Sequence, residues 1–309
     1  GSTREEREGC ALPMNVFGVA CGGDAPAPSQ EQCIFPIFSD AWIAAQVWGA
    51  ARILCAVLAQ LPVRGGTGLQ VVVEVGAGMG VPTLFLLLLH APPPRPLTAV
   101  LTDVQEALQP LRDTLPTLPL GPSTTPTHIL PLHWGNMEDV KGVLDAIDQR
   151  PVDLILGSEV VYAWHEEREG DNFRALVETL QGLCTPAHTT ILLAMQQRGA
   201  SKDSPQPPPT ESECTPCPVP PPPLEGLHSL WECSTPTTDF SHLFAAASFF
   251  DMAQMQGFQT RQVPSSLWRN CPAWLLERAS PEDVQALNQE NMFMYVMQLH
   301  RDSAEGGQR

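Results

Sequence analysis

Two apolar rhythms alternate along this chain. Short runs rich in β-branched and aliphatic residues recur at Val71–Val75, Thr98–Thr102, His128–Leu132, Asp153–Gly157 and Thr189–Met195. Each is too short for a helix, so each predicts a buried strand. Between them lie stretches with helical spacing: Val81–His90, Gln105 to about Leu115, Asp139–Asp148 and Asn172–Cys184. Pro82 suits the first turn of its helix. Ahead of the first strand, Ser39–Leu61 predicts a longer helix. Ser39 or Asp40 caps it, and Trp42, Ala45, Val47, Trp48, Ala51, Ile53, Leu54 and Val57 make it apolar almost all round. Pro62 and the pair Gly65-Gly66 end it. Five strands interleaved with helices predict an α/β fold with a doubly wound, parallel sheet.

The alternation stops at about 199–237, in "SPQPPPTESECTPCPVPPPPLEG" and its flanks. So proline-rich a segment, poor in aliphatics, predicts a disordered insertion. The pattern resumes with a helix at Phe240–Gln256, a strand near Phe258–Val263 and an alternating apolar strand at Met292–Leu299. With no crossover helix of ordinary length between them, the last two strands predict an antiparallel hairpin closing the sheet edge. The expected organisation is an arm at 1–38, a domain at 39–300 interrupted by the insertion, and a tail at 301–309. No internal repeat is evident.

Composition narrows the partners. The 34 acidic against 17 basic residues give a net charge of −17 over 309 residues. Such a surface repels phosphate backbones, so no nucleic acid is expected, and a basic protein is the better-matched partner. The same acidity also serves solubility. No leader pattern or membrane span is expected: the opening residues are polar and proline-dotted, and the run around Leu86–Leu89 is far too short to cross a bilayer. Gly1-Ser2 reads as a cloning remnant. Nine cysteines without a regular framework predict free thiols in a reducing compartment, with a cytoplasmic or also nuclear location and a monomer expected.

The stretch that carries chemistry is "VVVEVGAGMGVPTL", residues 71–84. A strand runs into glycines at alternate positions, Gly76, Gly78 and Gly80, and then into a helix. Glycines allow positive φ and close approach to a ligand, and the helix N-terminus favours an anionic group. The spacing is G-x-G-x-G, whereas a pyrophosphate-binding turn requires G-x-G-x-x-G; Val81 holds the position of that last glycine. A nucleoside bearing an amino acid has no pyrophosphate. It needs backbone approach for its carboxylate and ammonium ends, and an acid for the ammonium, which Glu74 supplies. Asp103 ends the second strand, where an acid accepts hydrogen bonds from both ribose hydroxyls.

Other motifs carry less. Cys214-x-x-Cys217 with His228 and Cys233 offers four metal-ligand types, but in a proline-rich setting without a second pair, so no metal is expected. Ser158 beside Glu159 lacks the G-x-S-x-G elbow of a hydrolase. The Asn-Pro-Pro-Tyr stretch of enzymes that methylate adenine or glutamine is absent.

In these residues the chain resembles the seven-strand S-adenosyl-L-methionine (SAM)-dependent methyltransferases, and within them the protein-lysine methyltransferases of methyltransferase family 16. The resemblance spans roughly 39–300 outside the insertion. It rests on "AQVWGAARILCAVL" (45–58), "VVEVGAGMGVPT" (72–83), "LPLHWGN" (130–136) and "VDLILGSEVVY" (152–162), with "TTILLAMQQR" and "NMFMYVMQLH" as fitting later strands. One departure stands out. The family's diagnostic motif commonly ends Asp-x-x-Tyr, whereas here it is Glu159-Val160-Val161-Tyr162; a related protein-histidine branch carries Glu there.

The resemblance implies a Rossmann-like seven-stranded sheet, mostly parallel with an antiparallel last strand, and SAM across the carboxyl ends of its strands. Gly76, Gly78 and Gly80 would pass under the methionine part, Asp103 would hold the ribose, and Trp134 would flank the adenine. Trp48 either borders the cofactor or packs its helix. Val104 and Ser158 join the cofactor-binding set. Glu159 would position the incoming nitrogen and take its proton, and Tyr162 would form an aromatic wall against the cation. The implied activity is methyl transfer to a lysine of a partner protein, with S-adenosyl-L-homocysteine as product. The alternatives are a histidine acceptor or a non-catalytic scaffold.

Overall fold

A computed structural model describes residues 47–61, 69–89, 97–117, 126–161, 169–197, 224–243, 245–270, 284–285, 287–289 and 291–300. The arm, the tail, residues 39–46 of the expected first helix, the segment 198–223 and Tyr162 lie outside the described residues; within the described ones the helix begins at Gly49, because Trp48 is extended at its N-cap. The strands are β1 (Val71–Glu74), β2 (Thr98–Asp103), β3 (Thr127–Pro131), β4 (Leu154–Ser158), β5 (Thr190–Gln196), β6 (Thr235–Pro236), β7 (Phe258–Gln262) and β8 (Met292–Leu299). The helices are α1 (Gly49–Leu58), α2 (Val81–Leu89), α3 (Gln109–Thr114), α4 (Met137–Ala146), α5 (Glu169–Leu183), α6 (Leu227–Cys233), α7 (Ala245–Met255) and α8 (Ser266–Arg269).

The eight strands form one sheet in the order β3-β2-β1-β4-β5-β8-β7-β6. Strands β1 to β5 are parallel neighbours, and β8 is antiparallel to both β5 and β7. Burial on both faces explains the unbroken apolar runs of β1, β4 and β5. Residue parity sorts them into two layers. Val72, Leu154, Leu156, Leu192, Met294 and Val296 pack under α1, α2 and α8. Val73, Ile155, Leu193, Tyr295 and Met297 pack under α4, α5 and α7. Asn136 caps α4 by accepting from the Glu138 and Asp139 N–H groups at 3.1 and 3.5 Å.

Two expectations change. Among the described residues the sheet has eight strands rather than seven: the antiparallel β8–β7 hairpin lies toward the edge as expected, and the two-residue β6 pairs outside it. The segment read as disordered to about residue 237 is helix and strand from 227 onward. Leu224, Leu230 and Trp231 bury there, and Arg261 stacks over the Trp231 ring at 4.7 Å while donating to the Trp231 carbonyl at 3.1 Å. Apolar side chains at 224–231 thus supply the burial that the preceding prolines lack.

Candidate active site

The strand order reverses between β1 and β4, so the carboxyl ends of these two strands flank a topological switch point, where open α/β sheets bind ligands. The glycine turn follows β1, and Ser158-Glu159 follows β4. Gly76, Gly78 and Gly80 have φ of +59°, +51° and +67°, the left-handed region where a side chain is strained. A Cβ at Gly76 would lie 2.8 Å from Val160 Cγ1 and 3.5 Å from the Trp134 ring. The turn, the end of β3 and the segment after β4 therefore meet at Gly76, and the cradle stays open because Gly76 has no side chain.

Asp103 closes the same region. Its Oδ2 accepts from the Gly78 N–H at 2.7 Å and its Oδ1 from the Val104 N–H at 2.8 Å. Burial raises its pKa, against the lowering by these two N–H groups. Each oxygen keeps a lone pair for a ligand hydroxyl. Val104 is partly exposed beside it. Trp134 is half-buried against the layer beneath α4 and α5. The Gly135 N–H donates to Thr179 Oγ1 at 2.8 Å, pinning the Trp-Gly corner to α5. Just before it, the His133 N–H and Nδ1 both contact Asp139 Oδ2, at 2.9 and 2.8 Å, and the N–H bond holds that carboxyl below its ordinary pKa.

Glu74 lies elsewhere than the ligand-facing position expected of it. It is fully buried beneath the turn, on the α2 side of β1, where its Oε2 accepts from the Thr83 N–H at 3.1 Å. Among the described residues its Oε1 has no hydrogen-bond partner, and burial raises its pKa to about 8. Thr102 Oγ1 donates to the Glu74 carbonyl at 2.7 Å, tying β1 to β2 at the same level. In this geometry Glu74 braces the turn against the start of α2.

Glu159 is largely buried with φ +57°, a conformation costing a non-glycine residue on the order of 1 kcal/mol or more. The strain is held from β5: the Glu159 N–H donates to the Ala194 carbonyl at 2.9 Å, and the Gln196 N–H donates to Glu159 Oε1 at 2.9 Å. Ser158, half-buried, is the last residue of β4, in register with Ala194. Trp48 stands half-buried at the head of α1. Thr83, Val160 and Gln196 escaped sequence reasoning, because nothing in their types marks a buttress. His228 pairs with Glu232 at 3.1 Å, while Cys214 and Cys217 lie outside the described residues.

A fold wound in this way, with a glycine cradle, an acid at the end of β2 and an indole beside the turn, suits a nucleoside carrying an amino acid and defines the class of SAM-dependent methyltransferases. The family model described as lysine methyltransferase matches residues 38–205, more than half of the 309, and the chain belongs to that family. SAM is the cofactor of this class. No curated relative matches the chain in sequence. Among solved structures it is similar to the mitomycin 7-O-methyltransferase MmcR, at 12% identity and TM-score 0.42, covering 81% of this chain and 54% of that one. It is also similar to human N-acetylserotonin methyltransferase in complex with SAM, at 10% identity and TM-score 0.40, covering 80% and 52%. A third is the plantazolicin methyltransferase BpumL, in complex with SAH, at 12% and 0.36, covering 82% and 83%. The chain spans about half the length of the first two.

Proposed function

We propose that this chain transfers a methyl group from SAM to a lysine side chain of a partner protein. The family match over residues 38–205 carries the reading. Bound SAM supplies a methyl group on a positively charged sulfur, open to in-line displacement by an amine. The protein's tasks are then to hold, align and keep out water. Gly76, Gly78 and Gly80 bring backbone close, Asp103 takes the ribose hydroxyls, and Trp134 offers a face to the adenine. Glu159 sits across the switch point from the glycine turn. It orients the incoming nitrogen and accepts its proton, and the β5 bonds fix the carboxylate in place. The net charge of −17 favours a basic partner surface.

Glu159→Gln tests the site. The variant should bind SAM as the wild type does and lose methyl transfer. Unchanged transfer would remove Glu159 from the mechanism. Amino-acid analysis of the labelled product should yield methyl-lysine; methyl-histidine instead would favour the second acceptor, to which the Glu in place of Asp in the diagnostic motif points.

A further inference from the structure

If cofactor occupies the β1–β2–β3 half of the rim, the acceptor must come over the remaining half, at the ends of β4, β5 and β8. One side chain on that half has an arrangement that the methyl-transfer residues do not use. His242, in the short 3-10 turn Ser241–Leu243, lies over β8 with its ring 5.3 Å from that of Phe293. Its Nε2 is 3.1 Å from the Tyr295 hydroxyl. Its carbonyl accepts from Gln197 Nε2 at 2.5 Å, and the neighbouring Gln196 N–H holds Glu159. Two adjacent residues at the end of β5 therefore place both His242 and Glu159. Two strand spacings separate β4 from β8, about 10 Å.

The hydroxyl decides the state of the ring. Tyr295 is fully buried, and among the described residues its hydroxyl has His242 as its hydrogen-bond partner. A buried O–H without an acceptor is costly, so the hydroxyl donates to Nε2. Neutral imidazole then carries its proton on Nδ1. Among the described residues Nδ1 has no partner, and the ring is only half-buried. Protonation would cost the Tyr295 hydroxyl its acceptor, and burial also lowers the ring's pKa, opposed by the charge of Asp239. Asp239 itself accepts from the Ser241 N–H at 2.9 Å.

We infer that His242 is a positioning residue for the acceptor: a neutral imidazole, locked by Tyr295 with its Nδ1–H outward, that donates a hydrogen bond to a main-chain carbonyl of the substrate segment beside the methylated residue. This rests on the protein-methylation reading above. With β4 and β8 about 10 Å apart, an extended segment crossing the rim, which advances about 3.3 Å per residue, can present a long side chain on the Glu159 side and flanking backbone on the His242 side. With its lone pair occupied by Tyr295, His242 serves as donor and not as base.

Two measurements on the full chain test this. The first is nitrogen-15 histidine NMR at pH 7, with the signal assigned by its loss in His242→Ala. His242 should be the neutral Nδ1–H tautomer, and Tyr295→Phe should shift it toward Nε2–H. A wild-type ring that is charged or Nε2-protonated overturns the inference. The second is transfer of labelled methyl from SAM into lysate protein across a lysate dilution series. His242→Ala should raise the half-saturating lysate concentration about tenfold with SAM affinity unchanged. His242→Asn, which keeps a donor near the Nδ1 position, should restore most of it. Wild-type-like transfer by His242→Ala overturns the inference alone. Absence of transfer by the wild type, with SAM bound, overturns the protein-methylation reading and the inference with it.

Discussion

Replacing Glu74 by Gln should make the protein more stable at alkaline pH and flatten its pH dependence. The carboxyl is fully buried, one oxygen accepts the Thr83 N–H and, among the described residues, the other has no partner. Burial raises its pKa from 4.5 to about 8, with the Thr83 N–H hydrogen bond opposing and the charge of Asp103 adding slightly. A carboxyl that titrates higher folded than unfolded holds its proton more tightly in the folded state. Its contribution is fully present below pH 4.5 and is lost as pH rises through about 8. One pH unit of difference corresponds to about 1.4 kcal/mol, so the whole window is worth about 5 kcal/mol. Between pH 6 and 8 the loss is about 2 kcal/mol, on the order of 1 M in urea midpoint. Glutamine keeps an acceptor for Thr83 and carries no charge at any of these pH values. Urea unfolding of wild type and Glu74→Gln at pH 5, 6, 7 and 8 reads this directly. The wild-type midpoint should fall along the series and the variant's should fall far less. Parallel curves for the two proteins would refute the buried, proton-holding state of Glu74.

Gly76→Ala should bind SAM at least tenfold more weakly and melt several degrees lower, because its Cβ would sit 2.8 Å from Val160 Cγ1 at a φ of +59°; calorimetric titration and a melting curve check both. Phe250→Ala should cost about 3–5 kcal/mol in denaturant unfolding without changing SAM affinity per folded molecule, since the ring is fully buried and stacked on Phe240 at 4.4 Å. Cys184 is only partly buried, but desolvation pushes its thiol pKa up to about 12, so it should react slowly with alkylating reagents in the native state; fast labelling at neutral pH without unfolding would contradict that raised pKa.

How far the sequence can be read depends on the kind of information each feature needs. Strands β1, β4 and β5 are legible because double-sided burial selects continuous apolar runs. The glycine turn is legible because positive φ selects glycine, and the structure has all three in that region. Asp103 lies where the alternation puts it, at the end of β2. Glu74 illustrates residue type without direction. Its chemistry suits an ammonium, yet it shares a strand face with Val72, and that parity sends it beneath α2. Glu159 illustrates the reverse. Its type marks it as a candidate, but its left-handed backbone is imposed by Ala194 and Gln196 from another strand, which no local pattern encodes. Helix α6 and strand β6 were masked by composition: a few buried side chains around Trp231 outweigh the neighbouring prolines.

The central claim is that this rim binds SAM and passes its methyl group to protein. The most direct measurement is transfer of labelled methyl from SAM into the proteins of a cell lysate, with wild type beside Asp103→Ala. The account predicts a discrete labelled band with the wild type and its loss in the variant, in which the carboxylate proposed to take the ribose hydroxyls and its bond to the Gly78 N–H are both gone. A wild-type protein that binds SAM and labels nothing, or a band of equal strength with Asp103→Ala, would contradict it.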